Sequence, residues 1–211
     1  MSNKRIIITV EGLASPAKEK LVNILYNESS LAIIPNTNLY KPDYINGHKD
    51  INDIFSENPY KFSYVFKSYQ LLSKLDAYIK ASSYAINKNT VILDGSIDSE
   101  KYIFTPMFLG FKFFTNDEAG MYNMMCDWYI NNLHIKYNGA IYVKTPYKEI
   151  YNKKKNSNGI DKKQYSEITK NYEIWMLESS FPILAVDSSE IMKEDTTIAI
   201  QKIMNFISYL R

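Results

Sequence analysis

The residues best placed to handle an anion are Gly12 and Lys18, which follow the run Arg5-Ile6-Ile7-Ile8-Thr9-Val10-Glu11. A strand that opens into G-x-x-x-x-G-K-[ST] cradles phosphate, because the turn aims backbone N–H groups at anionic oxygens. The chain reads Gly12-Leu13-Ala14-Ser15-Pro16-Ala17-Lys18-Glu19. The first glycine and the lysine are in place, the second glycine and the hydroxyl residue are replaced, and a proline stands at a free position of the loop. Pro16 has no N–H and a fixed φ. Ala17 carries a Cβ where glycine lets backbone crowd against phosphate. Glu19 stands where a hydroxyl would hold Mg²⁺ beside a triphosphate. At ~6 Å and an effective dielectric of ~20, one such pair of like charges costs roughly 3 kcal/mol. Two readings of Gly12 and Lys18 remain open: phosphate ligands, or a remnant turn whose lysine is solvated. Glu19 either ligates a metal, as carboxylates can, or is neutralised by Lys18 and Lys20.

Other polar residues fall where a cleft would use them. Asp94 closes the run Thr90-Val91-Ile92-Leu93-Asp94, and the carboxyl ends of strands are where α/β sheets bind ligands. Lys67 and Lys74 are seven apart and share one helix face. With Asp94 and Glu100 they can form an ion-pair network that fills a pocket, a reading preferred here to a new ligand site. Phe62, Phe66 and Tyr69 form an aromatic stripe that reads as packing or as a pocket lining. Trp128 and Trp175 read as core, and Met121, Met124 and Met125 as core or interface.

The elements that must position these residues follow from periodicity. Continuous β-branched runs predict buried strands at 5–10, 31–34, 90–94, 140–143 and 183–187. Steps of three and four predict helices at 16–27, with Pro16 in the first turn, and from Pro59 to about 87, with Phe62, Val65, Phe66, Tyr69, Leu72, Leu75 and Ile79 as its apolar stripe. Helices are also expected at 97–109, 117–133 and 190–210, and across 145–178 with a break at 153–159. Residues 36–50 read as a loop or short helix. Strands alternating with helices give a parallel sheet covered on both faces, in one domain over 1–211.

The motifs in this order resemble the deoxyribonucleoside kinases of cells and viruses, the deoxycytidine, deoxyguanosine and mitochondrial thymidine kinase type. Asn58-Pro59-Tyr60-Lys61-Phe62-Ser63-Tyr64-Val65-Phe66-Lys67-Ser68-Tyr69, then Leu72-Ser73-Lys74, looks like that family's long helix. Asp94-Gly95-Ser96-Ile97-Asp98-Ser99-Glu100-Lys101-Tyr102-Ile103-Phe104 is similar to its E-R-S-x-x-S-D-R-Y-I-F segment. Tyr122, Asp127-Trp128, Ile141-Tyr142-Val143, Thr145-Pro146, Glu173, Trp175, Pro182, Leu184, Asp187 and Glu190 continue it. The resemblance spans nearly the whole chain. It implies a five-stranded parallel sheet of the P-loop nucleoside-kinase type.

The resemblance also implies what is changed. The family's general-base glutamate falls at Asn36, and an amide cannot take the proton, a loss of ~10²–10⁴-fold. Its base-reading glutamine becomes Lys67, a donor without an acceptor. Its sugar-holding tyrosine falls at Ser56, and its second base-contacting arginine at Lys74. The metal-side acid becomes Asp94, the neighbouring phosphate clamp becomes Gly95, and the Asp-Arg pair becomes Glu100-Lys101. Lys101 joins Gly12, Lys18 and Glu19 as the vestigial nucleotide site. Ser56, Phe66, Lys67, Lys74 and Glu100 make the vestigial nucleoside pocket. The lid, about 150–165, keeps lysines but no arginine, and Lys153-Lys154-Lys155 reads as a solvated loop or a point-charge lid.

Composition excludes other classes. A net charge of +2 lacks the basic excess of a nucleic-acid binder. One cysteine, Cys126, with His48 and His134 only, excludes Cys- or His-based metal sites. No long apolar run or leader pattern is present, so a cytoplasmic, membrane-free protein is expected. The leading expectation is a catalytically impaired or inactive homologue acting as a binding or scaffold protein. It would form a homodimer around residues 59–87 and 117–133, with or without another protein partner. The alternatives are an active kinase using ATP and Mg²⁺, with Lys18, Asp94 or Glu19 and Lys101 in its site, and a sensor that binds without turnover.

Overall fold

The computed structural model describes residues 5–35, 50–83, 88–150 and 161–211. Five parallel strands form one sheet: β1 (Ile6–Glu11), β2 (Leu31–Ile34), β3 (Thr90–Asp94), β4 (Gly139–Lys144) and β5 (Ile183–Asp187). Their order is β2-β3-β1-β4-β5. Val10 pairs with Asp94 and Glu11 with Tyr142, so the carboxyl ends of the central strands lie level.

Alternation along each strand divides the core between the two faces. Ile7, Val91, Leu93, Ala140 and Tyr142 belong to one cluster, and Ile6, Ile8, Val10, Ile92, Ile141 and Val143 to the other. The second face is covered by α1 (Pro16–Tyr26), where Leu21 and Leu25 are buried, and by the C-terminal helix through Ile203 and Ile207. The first face carries α3 (Pro59–Ser82), which packs beside the short α2 (Ile51–Glu57).

After β3 the chain makes one turn, α4 (Ile97–Ser99), then a π-helical turn over Glu100–Phe104, then α5 (Thr105–Gly110). The wide turn is closed by the Thr105 N–H and its hydroxyl, 2.9 Å from the Glu100 carbonyl. Such turns insert one extra residue into a helix and frequently re-aim side chains at sites. Next come α6 (Asn116–Asn132), α7 (Tyr147–Ile150), α8 (Lys162–Glu178), α9 (Ser188–Ile191) and α10 (Thr197–Tyr209). Capping boxes start α6 (Thr115 with Glu118) and α8 (Asp161 with Gln164).

Several expectations are corrected. The 51–57 helix is new; Asp50 caps it by accepting from the Asn52 N–H at 2.8 Å. The 190–210 helix is two pieces, because 192–196 bends between them. The α3 stripe is rotated: Ser63, Lys67 and Ser73 are buried, whereas Val65 and Ile79 are exposed. The reason is that part of the inward face of α3 looks onto a polar-ended cavity rather than a dry core. Trp128, Met121 and Met124 are not core; Trp128 is 57% and Met124 72% exposed. Trp175 is buried as expected.

Candidate functional site

A cavity of about 580 Å³ opens at the carboxyl ends of β1 and β3, between the turn after β1, α2, α3 and the π-turn. Its size is that of a small-molecule site. One end is the 12–18 turn and the other is an aromatic slot, and the two ends differ in chemistry.

At the turn, Gly12 adopts φ +119°, and a Cβ there would lie 2.6 Å from the Val143 carbonyl oxygen, so only glycine fits. The Gly12 N–H donates to the Tyr172 hydroxyl at 3.1 Å. Ser15 caps α1: its hydroxyl accepts from the Lys18 N–H at 3.3 Å, and its carbonyl accepts from the Glu19 N–H at 3.1 Å. That hydroxyl also lies 3.1 Å from the Thr145 hydroxyl. Pro16 follows with no N–H to offer. The Lys18 ammonium pairs with Asp94 at 2.6 Å and reaches the Gly12 carbonyl at 3.4 Å.

Glu11 sits on the wall just before this turn. It is 1% exposed, and its Oε1 has no hydrogen-bond partner among the described residues. A buried acceptor without a donor costs free energy until something donates to it. Close by, burial first and the Glu11 charge second push the Asp98 carboxyl up to about 6.

At the aromatic end, Phe55 stacks on Phe66 with centroids 4.4 Å apart, and Phe108 lies 5.9 Å from Phe55. The Lys67 ammonium sits 4.3 Å from the centroid of Phe104 and 5.3 Å from that of Phe108. It pairs with Glu100 and donates to the Gln70 amide oxygen at 2.8 Å. Lys74 takes the other Glu100 oxygen at 2.6 Å and donates to the Ser96 carbonyl at 3.1 Å and the Ser99 hydroxyl at 3.3 Å. The Tyr122 hydroxyl lies 3.0 Å from both Glu100 Oε2 and the Lys67 carbonyl. Gly95, at φ +81°, leaves the room: a Cβ there would meet the Lys74 ammonium at 3.0 Å.

Burial shapes this triad. It pulls the Lys67 ammonium down to about 8, since desolvation and the like charge of Lys74 outweigh Glu100. Lys74, also buried, is nevertheless raised, because Glu100, Glu11 and Asp94 all face it. Burial pushes Glu100 up, but the two ammonium groups overcome it and hold the carboxyl at about 2.

A family model for deoxynucleoside kinases matches residues 8–210. The chain belongs to the deoxynucleoside kinase family. It is 25% identical to a probable deoxycytidine kinase of fowlpox virus, over 96% of this chain and 88% of the relative. It is 26% identical to the deoxycytidine kinase of Bos taurus and 24% to that of Homo sapiens, each over 73% of this chain and 67% of the relative. Family membership accords with the five-stranded parallel α/β fold.

Within this family fold, Gly12, Lys18, Phe66, Lys67, Lys74, Asp94 and Glu100 all line the cavity. Glu19 does not; it is exposed on α1 and makes no ion pair among the described residues. Lys18 turns to Asp94 and Lys20 to the Lys193 carbonyl at 2.8 Å, so the expected neutralisation of Glu19 by these lysines is corrected. Lys101 is also displaced: it pairs with Asp127 of α6 at 2.6 Å and is not part of the cavity wall. Ser56 is exposed on α2, one residue past the wall residue Phe55. Asn36 and the lysines 153–155 lie outside the described residues. The ion-pair network joins Lys67, Glu100 and Lys74, but it does not fill the pocket: it forms one wall and leaves the space open.

Sequence reasoning gave no role to Glu11 or Gln70. Both carried a signal. Glu11 ends a run of buried strand residues with a charge, and Gln70 repeats the polar position of Lys67 one turn on. Among the described residues no group of three His, Cys, Asp or Glu is placed to hold a metal. None of the described helices is long and apolar enough to cross a membrane.

Proposed function

We propose that this deoxynucleoside-kinase homologue binds a nucleoside in the cavity and transfers phosphate to it slowly or not at all. The observation that carries this is the contrast within the site. An aromatic slot remains open, while at the turn that would grip a triphosphate the Gly12 N–H is spent on Tyr172, the Lys18 and Glu19 N–H groups are spent on Ser15, and Pro16 has none. ATP with Mg²⁺ does not fit the residues present. Pro16 lacks a donor, and Glu19 stands outside the cavity and carries no hydroxyl for the metal. Of the binding and scaffold roles expected, the open pocket supports binding.

Thermal melts test it. A deoxynucleoside at a hundredfold excess over its Kd should stabilise the protein by about 2.7 kcal/mol. ATP–Mg²⁺ should give no shift, and a nucleoside with ATP–Mg²⁺ should give no phosphorylated product. Turnover at kinase rates, or indifference to every nucleoside, overturns the proposal. The active-kinase reading needs Lys18 to leave Asp94 for phosphate, and the product assay decides it.

The homodimer expected from the family resemblance is retained as part of the proposal. Tyr60, Val65 and Ile79 on α3 and Met121, Met124 and Trp128 on α6 are exposed apolar side chains on neighbouring helices. Grouped surface of this kind marks interfaces. Sedimentation should show a dimer that Met124→Glu with Trp128→Glu converts to monomer; a wild-type monomer at micromolar concentration overturns it.

A further inference from the structure

We infer that Tyr122 of α6 is a positioning residue for the cavity: without touching a ligand, its hydroxyl sets the Glu100 carboxylate, and through it the wall against which a nucleoside lies. The inference rests on the nucleoside-binding reading above and deepens it.

Among the described residues, none of α6 lines the cavity, whereas Lys67, Lys74 and Glu100 all do. The backbone of Glu100 is tied down by Thr105, whose N–H and hydroxyl both donate to its carbonyl. Its carboxylate is held by two lysines of one helix. Lysine chains are long and keep many rotamers, so they supply charge more than direction. Tyr122 supplies direction. It is fully buried, edge-on to Tyr64 with centroids 6.3 Å apart and tilted against Phe114 at 5.6 Å. A packed phenol ring has few torsions to lose. Its hydroxyl lies 3.0 Å from Glu100 Oε2 and 3.0 Å from the Lys67 carbonyl, so one rigid group sets the π-turn against α3.

The hydroxyl has one proton for these two acceptors, and the charged one is the stronger. Burial first and the Glu100 charge second hold this phenol well above its usual range, so it stays a donor. The oxygen it donates to is the one that Lys67 also uses. The positive end of the O–H dipole therefore lies beside the Lys67 ammonium and disfavours it. Without the hydroxyl, Lys67 keeps its proton more firmly and the carboxylate loses its one rigid anchor.

Tyr122→Phe deletes the hydroxyl and keeps the ring. With the full chain, the Lys67 side chain is titrated by NMR without ligand, and Kd values for deoxycytidine and thymidine are measured by calorimetry. The Lys67 titration should move up from about 8, and the tighter of the two ligands should weaken by roughly threefold to tenfold. Tyr64→Phe deletes a hydroxyl of the same aromatic cluster, one that lies 3.4 Å from the Met125 sulfur, and should leave both readings unchanged. Where Tyr122→Phe does not fold, the wild-type chain is read instead: its Tyr122 hydroxyl proton should exchange slowly and resonate downfield. A rapidly exchanging hydroxyl, or a Lys67 titration that does not move in the folded variant, overturns the inference. A moved titration with an unchanged Kd overturns the role of Tyr122 in binding. No binding of either nucleoside by the wild-type chain overturns the binding reading itself, and the ligand-free titration tells the two failures apart.

Discussion

The two ends of the cavity each join lysine to carboxylate, and they do so in different media. Lys18 and Asp94 meet at the mouth, with side chains 16% and 39% exposed. Lys67, Glu100 and Lys74 meet in the wall, where Lys67 is 2% and Glu100 1% exposed. A half-wet pair is worth little and is easily exchanged for a ligand. A buried triad is different: removing one partner strands charges that water cannot reach. The mouth is thus adaptable in its side chains and limited by its backbone, where the Gly12, Lys18 and Glu19 N–H groups are engaged and Pro16 has none. The wall is fixed in its side chains. The same residue types make an exchangeable pair at one end and a fixed wall at the other.

The largest effect that can break this comparison comes from Glu100→Gln. It should destabilise the protein by about 3–5 kcal/mol in urea unfolding, because Lys67 and Lys74 remain buried without their counter-charge. A loss below about 1 kcal/mol would mean that the wall is as well solvated as the mouth.

Acid titration is next. Glu100 titrates at about 2 in the fold against 4.5 ordinarily. Between these values the unfolded chain binds the extra proton, so stability is full above pH 4.5 and is lost as pH falls toward 2. The loss is on the order of 3 kcal/mol and should be missing from Glu100→Gln. Lys67 gives the alkaline counterpart. It titrates at about 8 against 10.5, the unfolded chain again holds more protons in between, and stability should rise with pH over that window. Unfolding free energies that are flat across both windows would contradict the buried triad.

Asp94→Asn at the mouth should cost less than about 1 kcal/mol. It frees Lys18, yet ATP–Mg²⁺ should still fail to raise the melting temperature, because the Gly12 and Lys18 N–H groups keep their internal partners. A clear shift with ATP–Mg²⁺ in this variant would show that the ion pair alone closed the turn. The smallest expected effect is from Asn36→Glu, which should give no phosphorylated product in a nucleoside and ATP–Mg²⁺ assay. Robust turnover would show that the turn still grips phosphate.

Much of the fold was legible because its signals are local. Ile6–Val10, Val91–Leu93 and Ile141–Val143 are continuous β-branched or aliphatic runs that only a doubly covered sheet can bury. Pro16 announced the start of α1. The α2 helix escaped notice because seven residues carry too little periodicity. The α3 register was misjudged because Val65 and Ile79 look like core while Lys67 and Ser73 do not. Lys101 was misplaced for a related reason: which carboxylate claims an ammonium depends on what packs beside it, and Asp127 on α6 is close where the nucleotide turn is not.

The sequence by itself determined the strands, their covering helices, the family and the chemical types available at each site position, since all of these are written in composition and spacing along the chain. Only the tertiary structure decided that Lys67, Lys74 and Glu100 converge as a wall, that the space beside them stays open, and that Glu11 Oε1 has no donor among the described residues. Pairing between residues far apart in sequence, and the volume left after packing, are properties of three-dimensional approach, and no local pattern encodes them.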